Sequence, residues 1–297
     1  MITYAEFVET YLQTPLFSVK QSQDLPVYYR EFVRLHDKPN LTVLEFGVAG
    51  GGSLQFYRSI LGKDTRIIGV DLNPKCLEML NHGFEIFIGD QSDPKFLTYL
   101  FQTIGNVDII IEDGGHTNFQ QISTIVNGIP HLNDGGVILI DDMHCSYHPR
   151  WGNPSRWSTV NYLKKQITEI NYRSRNLSHR QNPGLFSTTV ESITFYESLV
   201  VIRVDRELAR PGVFITSCGN AEDYSEDFRF LGNLELERLY RVSKIFENRT
   251  VWVGKLGFIM NTGIKSRLFC RFALIFIRWT IATLEIRSGR GTKKFFS

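Results

Sequence analysis

The stretch Leu44–Ser53 (LEFGVAGGGS) decides the fold, because an apolar run ends there in a cluster of glycines. The run begins at Thr42 and has the length and composition of a buried strand. Glycines directly after a strand let the backbone make a tight turn and approach a ligand without Cβ clashes. The stretch therefore predicts a strand, a ligand-binding turn and a helix, in that order.

Short apolar runs recur along the chain on the C-terminal side of this stretch. Five runs are predicted as buried strands: Thr42–Phe46, Arg66–Asp71, Phe84–Ile88, Asp108–Glu112 and Gly136–Asp141. The intervals between them are each long enough for a helix, which is the βαβ signature of a parallel sheet. Ser192–Tyr196 and Leu199–Val204 are β-rich and closely spaced, which predicts an antiparallel hairpin. The predicted fold is an α/β, Rossmann-like sheet of parallel strands with a C-terminal antiparallel hairpin.

Helical additions are predicted on both sides of the sheet. Apolar residues recur at helical spacing over Tyr4–Leu12 and again in Val27–Leu35, and helices are also expected at Leu234–Val242 and Arg267–Ile286. The chain is accordingly divided into a helical N-terminal segment, a cofactor-binding domain and a C-terminal extension, at residues 1–40, 41–205 and 206–297.

Composition indicates an ordinary globular protein of 297 residues, 42% hydrophobic, with a formal net charge of +2. This small charge gives no reason to expect a nucleic-acid partner. The four cysteines form no C-x-x-C pair, so reduced thiols in a cytoplasmic protein are expected. No secretory signal and no transmembrane segment are predicted either.

The C-terminal tail has a charge of its own. Residues 264–297 carry eight basic residues and one acidic residue, a net charge of +7, around the apolar pattern of Arg267–Ile286. A helix with this much apolar surface is expected to pack in a homo-oligomer or against the core. A peripheral membrane contact is the alternative.

Glu45 indicates the charge of the ligand at the glycine turn. It precedes Gly47 at the end of the first strand, where a carboxylate suits a cationic ligand and opposes a pyrophosphate. S-adenosylmethionine carries an ammonium and a sulfonium and has no phosphate. The pattern therefore favours S-adenosylmethionine over a dinucleotide.

Two further strand ends complete the predicted cofactor site. Asp71 ends the second strand, where a carboxylate would accept hydrogen bonds from ribose hydroxyls, and Asp90 and Gln91 follow the third strand, near the adenine. The predicted cofactor-binding residues are thus Glu45, Gly47, Gly51, Ser53, Asp71, Asp90 and Gln91. The alternative is an ordinary strand–helix turn in which Asp71 caps a helix.

Acidic residues also follow the fourth and fifth predicted strands. Asp113 and His116 come after the fourth, and Asp141 and Asp142 after the fifth. The carboxyl ends of parallel strands meet at one edge, so three carboxylates there predict a site for Mg²⁺ or Mn²⁺. His116 is predicted as the general base that accepts a proton from a hydroxyl group.

Two alternatives remain open for these acidic residues. Asp113 could cap the following helix, and adjacent residues of a continuing strand face opposite sides. Asp141 and Asp142 can therefore both be ligands only if the strand has ended before Asp142.

At these residues the chain resembles the metal-dependent class I O-methyltransferases that modify sugars of macrolide and related antibiotics. The resemblance runs from about Asp24 to Val204, and its most specific parts are Asp113-Gly-Gly-His116 and Asp141-Asp142. It implies Mg²⁺ on Asp113, Asp141 and Asp142, with His116 as the base. The chain departs from the family pattern at Gly115, where serine is frequent, at Asp141, where glutamate is frequent, and in having no histidine near Asp24.

The resemblance implies methylation of a sugar hydroxyl on a small-molecule glycoside or glycan. A cephalosporin hydroxylase-like enzyme on the same scaffold is a second interpretation. A non-catalytic subunit that binds S-adenosylmethionine is a third.

Overall fold

The computed structural model describes residues 2–151, 157–174 and 184–213, together with Ile215, Gly232, Leu234 and Glu237. The described helices and strands belong to one compact unit, Met1–Ile215. The helix predicted at Arg267–Ile286 and most of Leu234–Val242 lie outside these residues. The division at residues 40/41 and 205/206 stays a prediction.

A seven-stranded sheet with the order β3-β2-β1-β4-β5-β7-β6 forms the centre of this unit. β1 to β5 are parallel, whereas β7 pairs antiparallel with both β5 and β6. The Rossmann-like sheet with a C-terminal hairpin is confirmed. The strands are β1 (Thr42–Phe46), β2 (Arg66–Asp71), β3 (Glu85–Ile88), β4 (Val107–Glu112), β5 (Leu132–Ile140), β6 (Val190–Phe195) and β7 (Val200–Val204).

Helices connect and cover these strands. They are α1 (Tyr4–Leu12), α2 (Leu25–Leu35), α3 (Gly52–Leu61), α4 (Pro94–Ile104), α5 (Asn118–Gly128), α6 (Thr159–Asn171) and α7 (Leu185–Thr189). A 3₁₀ segment, Pro74–His82, connects β2 to β3. The apolar periodicity predicted α1 and α2 to within two residues at each end.

The two faces of the sheet bury separate cores. Side chains of α1, α2 and α3 pack with Val43 and Ile109 on one face, and side chains of α4, α5 and α6 pack with Leu44 and Ile110 on the other. Alternate residues of β1 and β4 therefore point into different cores, and both strands are buried on both sides.

The position of the site follows from the strand order. The chain runs outward from β1 through β2 to β3, then returns to place β4 on the other side of β1. Phe46 lies in register with Glu112, so the carboxyl ends of β1 and β4 are level. Open α/β sheets bind ligands in the crevice at such a reversal of strand order.

Two expectations from the sequence concern membrane-spanning helices and the state of the cysteines. Among the described helices, none is long and apolar enough to cross a membrane. Cys76 and Cys145 are buried free thiols, as expected for reduced cysteines, while Cys218 and Cys270 lie outside the described residues.

Candidate active site at the carboxyl edge of the sheet

The glycine turn after β1 joins three strand ends. Gly47 donates its N–H to the carbonyl of Val70 over 2.8 Å and has φ +95°, a conformation that favours glycine. A Cβ on Gly47 would overlap the carbonyl oxygen of Asp113, so only glycine lets the turn approach the end of β4. The backbone of this turn is thereby fixed against β2 and β4.

Asp71 holds the turn from the end of β2. Its Oδ2 accepts the N–H groups of Val48 and Ala49 over 2.9 and 3.1 Å, and its Oδ1 accepts that of Asn73 over 2.8 Å. Partial burial opposes ionisation, but the backbone bonds from Asn73, Ala49 and Val48 outweigh it and lower the pKa of Asp71. Asp71 is therefore a fixed anionic acceptor beside the turn.

A cavity of about 500 Å³ opens over these strand ends. Its lining includes residues 17–19 and 47–49, and seven of the predicted site residues: Gly47, Ser53, Asp71, Gln91, Asp113, His116 and Asp142. Cavities of this size hold drug-sized ligands and cofactors. Seven of the predicted site residues therefore line one cavity, whereas Glu45, Gly51, Asp90 and Asp141 are not among its lining residues.

Glu45 lies beneath the turn and is fully buried, with 0% exposure. Its Oε1 accepts the hydroxyl of Tyr57 over 2.8 Å, and its Oε2 has no hydrogen-bond partner among the described residues. Burial raises the pKa of Glu45 to about 8, so the group is mostly protonated at neutral pH. Direct cofactor binding by Glu45 stays a prediction, and the charge argument that led to it weakens in this environment.

The observed roles of Gly51 and Asp90 are in the conformation of their own loops. Gly51 has φ +75° and immediately precedes α3, where it completes the turn. Oδ1 of Asp90 accepts the N–H and the hydroxyl of Ser92 over 2.8 and 2.7 Å. Neither residue is among those that line the cavity, so their contact with a cofactor also stays a prediction.

Gln91 connects the cavity to the buried end of β4. Its amide nitrogen donates to Oε1 of Glu112 over 2.7 Å, and its carbonyl oxygen accepts the N–H of Gly115 over 3.4 Å. Burial raises the pKa of Glu112 to about 8 even though the Gln91 bond opposes this shift. Gln91 therefore supports the loop that carries Asp113 and His116.

Asp113, His116 and Asp142 form the compact acidic part of the site. One ligand atom from each lies within 4.8 Å of the others, and Nε2 of His116 is 3.3 Å from Oδ2 of Asp142. His116 and Asp142 both have left-handed backbones, with φ +56° and +55°. Such strain in residues with a Cβ costs energy and is found disproportionately at functional sites.

Asp141 and Asp142 follow the end of β5, and their side chains lie in different environments. β5 ends at Ile140, and the left-handed backbone of Asp142 turns its side chain to the cavity. Asp141 is instead 2% exposed and accepts the hydroxyl of Tyr28 over 2.9 and 3.0 Å. The strand does end before Asp142, and the role of Asp141 as a metal ligand stays a prediction.

Lys20 is a residue of the site that was not predicted, and its ammonium lies between the carboxylates of Asp113 and Asp141. Its Nζ lies 2.5 Å from Asp113 and 2.6 Å from Asp141. Burial alone would lower the pKa of Lys20, but the negative charges of Asp141 and Asp113 raise it well above its usual value. Lys20 lies in a segment without apolar periodicity, so the sequence carries no signal that would place it here.

The donor set fits a divalent cation. Two carboxylates and one imidazole nitrogen converge on a polar cavity, which suits Mg²⁺ or Mn²⁺ when the remaining ligands are oxygen atoms. Nδ1 of His116 is buried and has no hydrogen-bond partner within the described part of the chain. Among the described residues, Asp113, His116 and Asp142 are the group whose ligand atoms lie close enough together to hold one cation.

The chain is similar to known methyltransferases in sequence and in fold. Residues 44–143 match the family described as "Methyltransferase domain". The chain is 28% identical over 198 residues to 8-demethyl-8-(2-methoxy-alpha-L-rhamnosyl)-tetracenomycin-C 3'-O-methyltransferase of Streptomyces olivaceus, covering 61% of this chain and 49% of that protein. It is 29% identical over 197 residues to mycinamicin VI 2''-O-methyltransferase of Micromonospora griseorubida, covering 61% and 48%. The chain thus spans about half the length of these relatives.

A solved structure shares the fold. The MycE methyltransferase of the mycinamycin biosynthetic pathway, in complex with Mg and SAH, superposes with a TM-score of 0.61 at 25% identity, covering 74% of this chain and 57% of that one. Residues 44–143 are therefore similar to methyltransferase domains, and the chain resembles, in sequence and in fold, the O-methyltransferases that act on sugars of glycosylated antibiotics.

Proposed function

We propose that this chain is an S-adenosylmethionine-dependent, metal-assisted O-methyltransferase that methylates a sugar hydroxyl of a glycoside or glycan. One observation carries the proposal: the glycine turn with Asp71 and the cluster of Asp113, His116 and Asp142 line the same cavity. A methyl donor and an acceptor hydroxyl held there would lie side by side. Such positioning supplies much of the rate enhancement in transfer reactions.

The turn side of the cavity is suited to the donor. Gly47 lets the backbone lie close to a ligand, and the ionised Asp71 offers acceptor lone pairs to ribose hydroxyls. Gln91 places a polar side chain on the same wall of the cavity. These groups would bind and orient S-adenosylmethionine.

The acidic side is suited to the acceptor. A divalent cation on Asp113 and Asp142 would lower the pKa of a coordinated sugar hydroxyl and fix its position. Nε2 of His116 lies 3.3 Å from Asp142 and would accept the hydroxyl proton. The neighbouring carboxylate of Asp142 would hold the imidazole ring in position for this step.

The relatives support methyl transfer over the two alternative functions. The two relatives described above are named as O-methyltransferases, which disfavours a hydroxylase-like enzyme. A non-catalytic subunit is disfavoured because His116, which has a strained backbone, lies beside Asp142 at the cavity. A cytoplasmic, homo-oligomeric protein acting on a glycoside, with no nucleic-acid partner, completes the proposal. Light scattering after size-exclusion chromatography tests its oligomeric part.

A methyl-transfer assay tests the activity. The protein is incubated with S-adenosylmethionine labelled in the methyl group, with Mg²⁺, and with a panel of natural-product and simple glycosides. The proposal expects label on a sugar oxygen and loss of transfer when EDTA removes the metal. Full transfer in EDTA would refute the metal assignment, and transfer to RNA or protein but to no glycoside would refute the acceptor assignment.

A further inference from the structure

The segment between α1 and α2, residues 13–24, is here called the N-terminal strap. Its Phe17 carbonyl accepts the N–H of Gly52 over 3.1 Å, directly at the start of α3. Phe17, Ser18 and Val19 then line the cavity. The strap therefore covers the cofactor side of the cavity before it reaches the acidic side.

The next two residues of the strap bind the acidic side. Lys20 is 4% exposed and bonds to both Asp113 and Asp141, with its ammonium 5.2 Å from the centre of the Tyr28 ring. The side-chain amide of Gln21 donates to Oδ1 of Asp142 over 2.9 Å. Each of the three carboxylates thus accepts a hydrogen bond from the strap.

The charges of this arrangement conflict with a bound metal. Lys20 places one positive charge on Asp113, the carboxylate that a divalent cation would also need. Two cations bound to one carboxylate repel each other, and the repulsion is strong where water is excluded. Lys20 also neutralises part of the negative charge that would attract the metal.

We propose that Lys20 is an internal competitor for the divalent cation: the cation binds Asp113 only when the Lys20 ammonium leaves it. Metal binding then releases the strap at the cavity. When Lys20 has left, one oxygen of Asp141 is free to join Asp113 and Asp142. This inference rests on the metal-binding part of the proposed function and assigns a regulatory residue to that site.

Direct metal titration tests the competition. Mn²⁺ binding to the full chain with S-adenosylhomocysteine present is measured by calorimetry for wild type and for Lys20→Met, whose unbranched side chain is one atom shorter and carries no charge. The control is Lys63→Met, the same change of net charge in the exposed turn between α3 and β2. We expect Lys20→Met to bind Mn²⁺ at least about tenfold more tightly, and Lys63→Met to bind as wild type does. Equal or weaker binding by Lys20→Met would overturn the proposal.

Chemical labelling tests the displacement in the wild-type chain, so it does not depend on the folding of a variant. An amine-reactive ester is applied with and without saturating Mn²⁺, and modification of Lys20 and Lys63 is measured by mass spectrometry. We expect Mn²⁺ to increase the labelling rate of Lys20 at least about fivefold, because its present exposure is 4%, and to leave Lys63 unchanged. Protection of Lys20 that persists at saturating Mn²⁺ would overturn the proposal.

Mn²⁺ binding by wild type and by Lys20→Met distinguishes failure of the metal site from failure of the competition. If neither wild type nor Lys20→Met binds Mn²⁺ while both bind S-adenosylhomocysteine, the metal-binding part of the proposed function is refuted, and the competition with it. If wild type and Lys20→Met bind Mn²⁺ equally, only the competition is refuted.

Discussion

Replacing Glu45 with glutamine tests whether this buried carboxyl is neutral in the folded protein. Burial disfavours the charged form and raises the folded-state pKa of Glu45 to about 8, from an ordinary value of 4.5. A raised pKa contributes stability that is complete below pH 4.5 and is lost as the pH rises to about 8. Each pH unit in this window removes about 1.4 kcal/mol.

The expected difference between variant and wild type is large. Glu45→Gln has no carboxyl at this position to ionise. The unfolding free energy of the variant minus that of wild type should therefore increase by up to about 4 kcal/mol as the pH rises from 5 to 8. The hydrogen bond from the Tyr57 hydroxyl can be kept by the amide oxygen. The variant therefore isolates the cost of ionisation from the loss of packing.

Urea unfolding at pH 5, 6, 7 and 8 measures this difference. Glu9→Gln, at an exposed position on α1, is the matched control and should follow wild type at every pH. Parallel pH profiles for Glu45→Gln and wild type would refute the reasoning. Glu45 would then be ionised in the folded protein at neutral pH.

The other predictions concern the cavity itself. Asp71→Ala should weaken S-adenosylhomocysteine binding by about 1.5–3 kcal/mol in calorimetry, because it removes a charged hydrogen-bond acceptor and the contacts that hold the turn. The control Asp64→Ala, on the exposed surface, should bind S-adenosylhomocysteine as wild type does. Equal affinities of Asp71→Ala and wild type would show that Asp71 is not part of the site. Asp142→Ala should abolish Mn²⁺ binding with S-adenosylhomocysteine affinity largely retained, and an unchanged Mn²⁺ isotherm would show that Asp142 is no ligand. His116→Ala should lower the methyl-transfer rate about 10²–10⁴-fold with S-adenosylhomocysteine still bound. Wild-type turnover would exclude His116 as the base, and loss of Mn²⁺ binding in this variant would identify it as a ligand.

The strands and the position of the site could be predicted because their signals are local. The apolar runs gave β1 and β2 with their observed bounds, and the glycines after Phe46 marked the turn. β5 begins four residues earlier than predicted, at Leu132, because the polar residues 133–135 have the composition of a turn. They belong to the strand because Leu132 pairs with Val107 across an irregularity in the ladder.

The residues of the acidic cluster could be predicted from the sequence, but the directions of their side chains could be predicted only in part. Residue type and strand order placed Asp113, His116 and Asp142 at one edge. Whether Asp141 is a ligand depends on a side-chain direction that alternation along a strand does not give once the strand has ended, so this assignment stays a prediction. The contacts of Lys20 join residues 93 and 121 positions apart in the chain, and no periodic pattern relates them.

A crystal structure of the protein with S-adenosylhomocysteine and Mn²⁺, with anomalous scattering recorded from the manganese, tests the central claim most directly. The account predicts S-adenosylhomocysteine against the Gly47 turn with its ribose at Asp71, and an anomalous peak bound by Asp113 and Asp142. It also predicts that Nζ of Lys20 has moved away from Asp113. A manganese peak elsewhere in the molecule, or S-adenosylhomocysteine bound outside the cavity, would contradict the account.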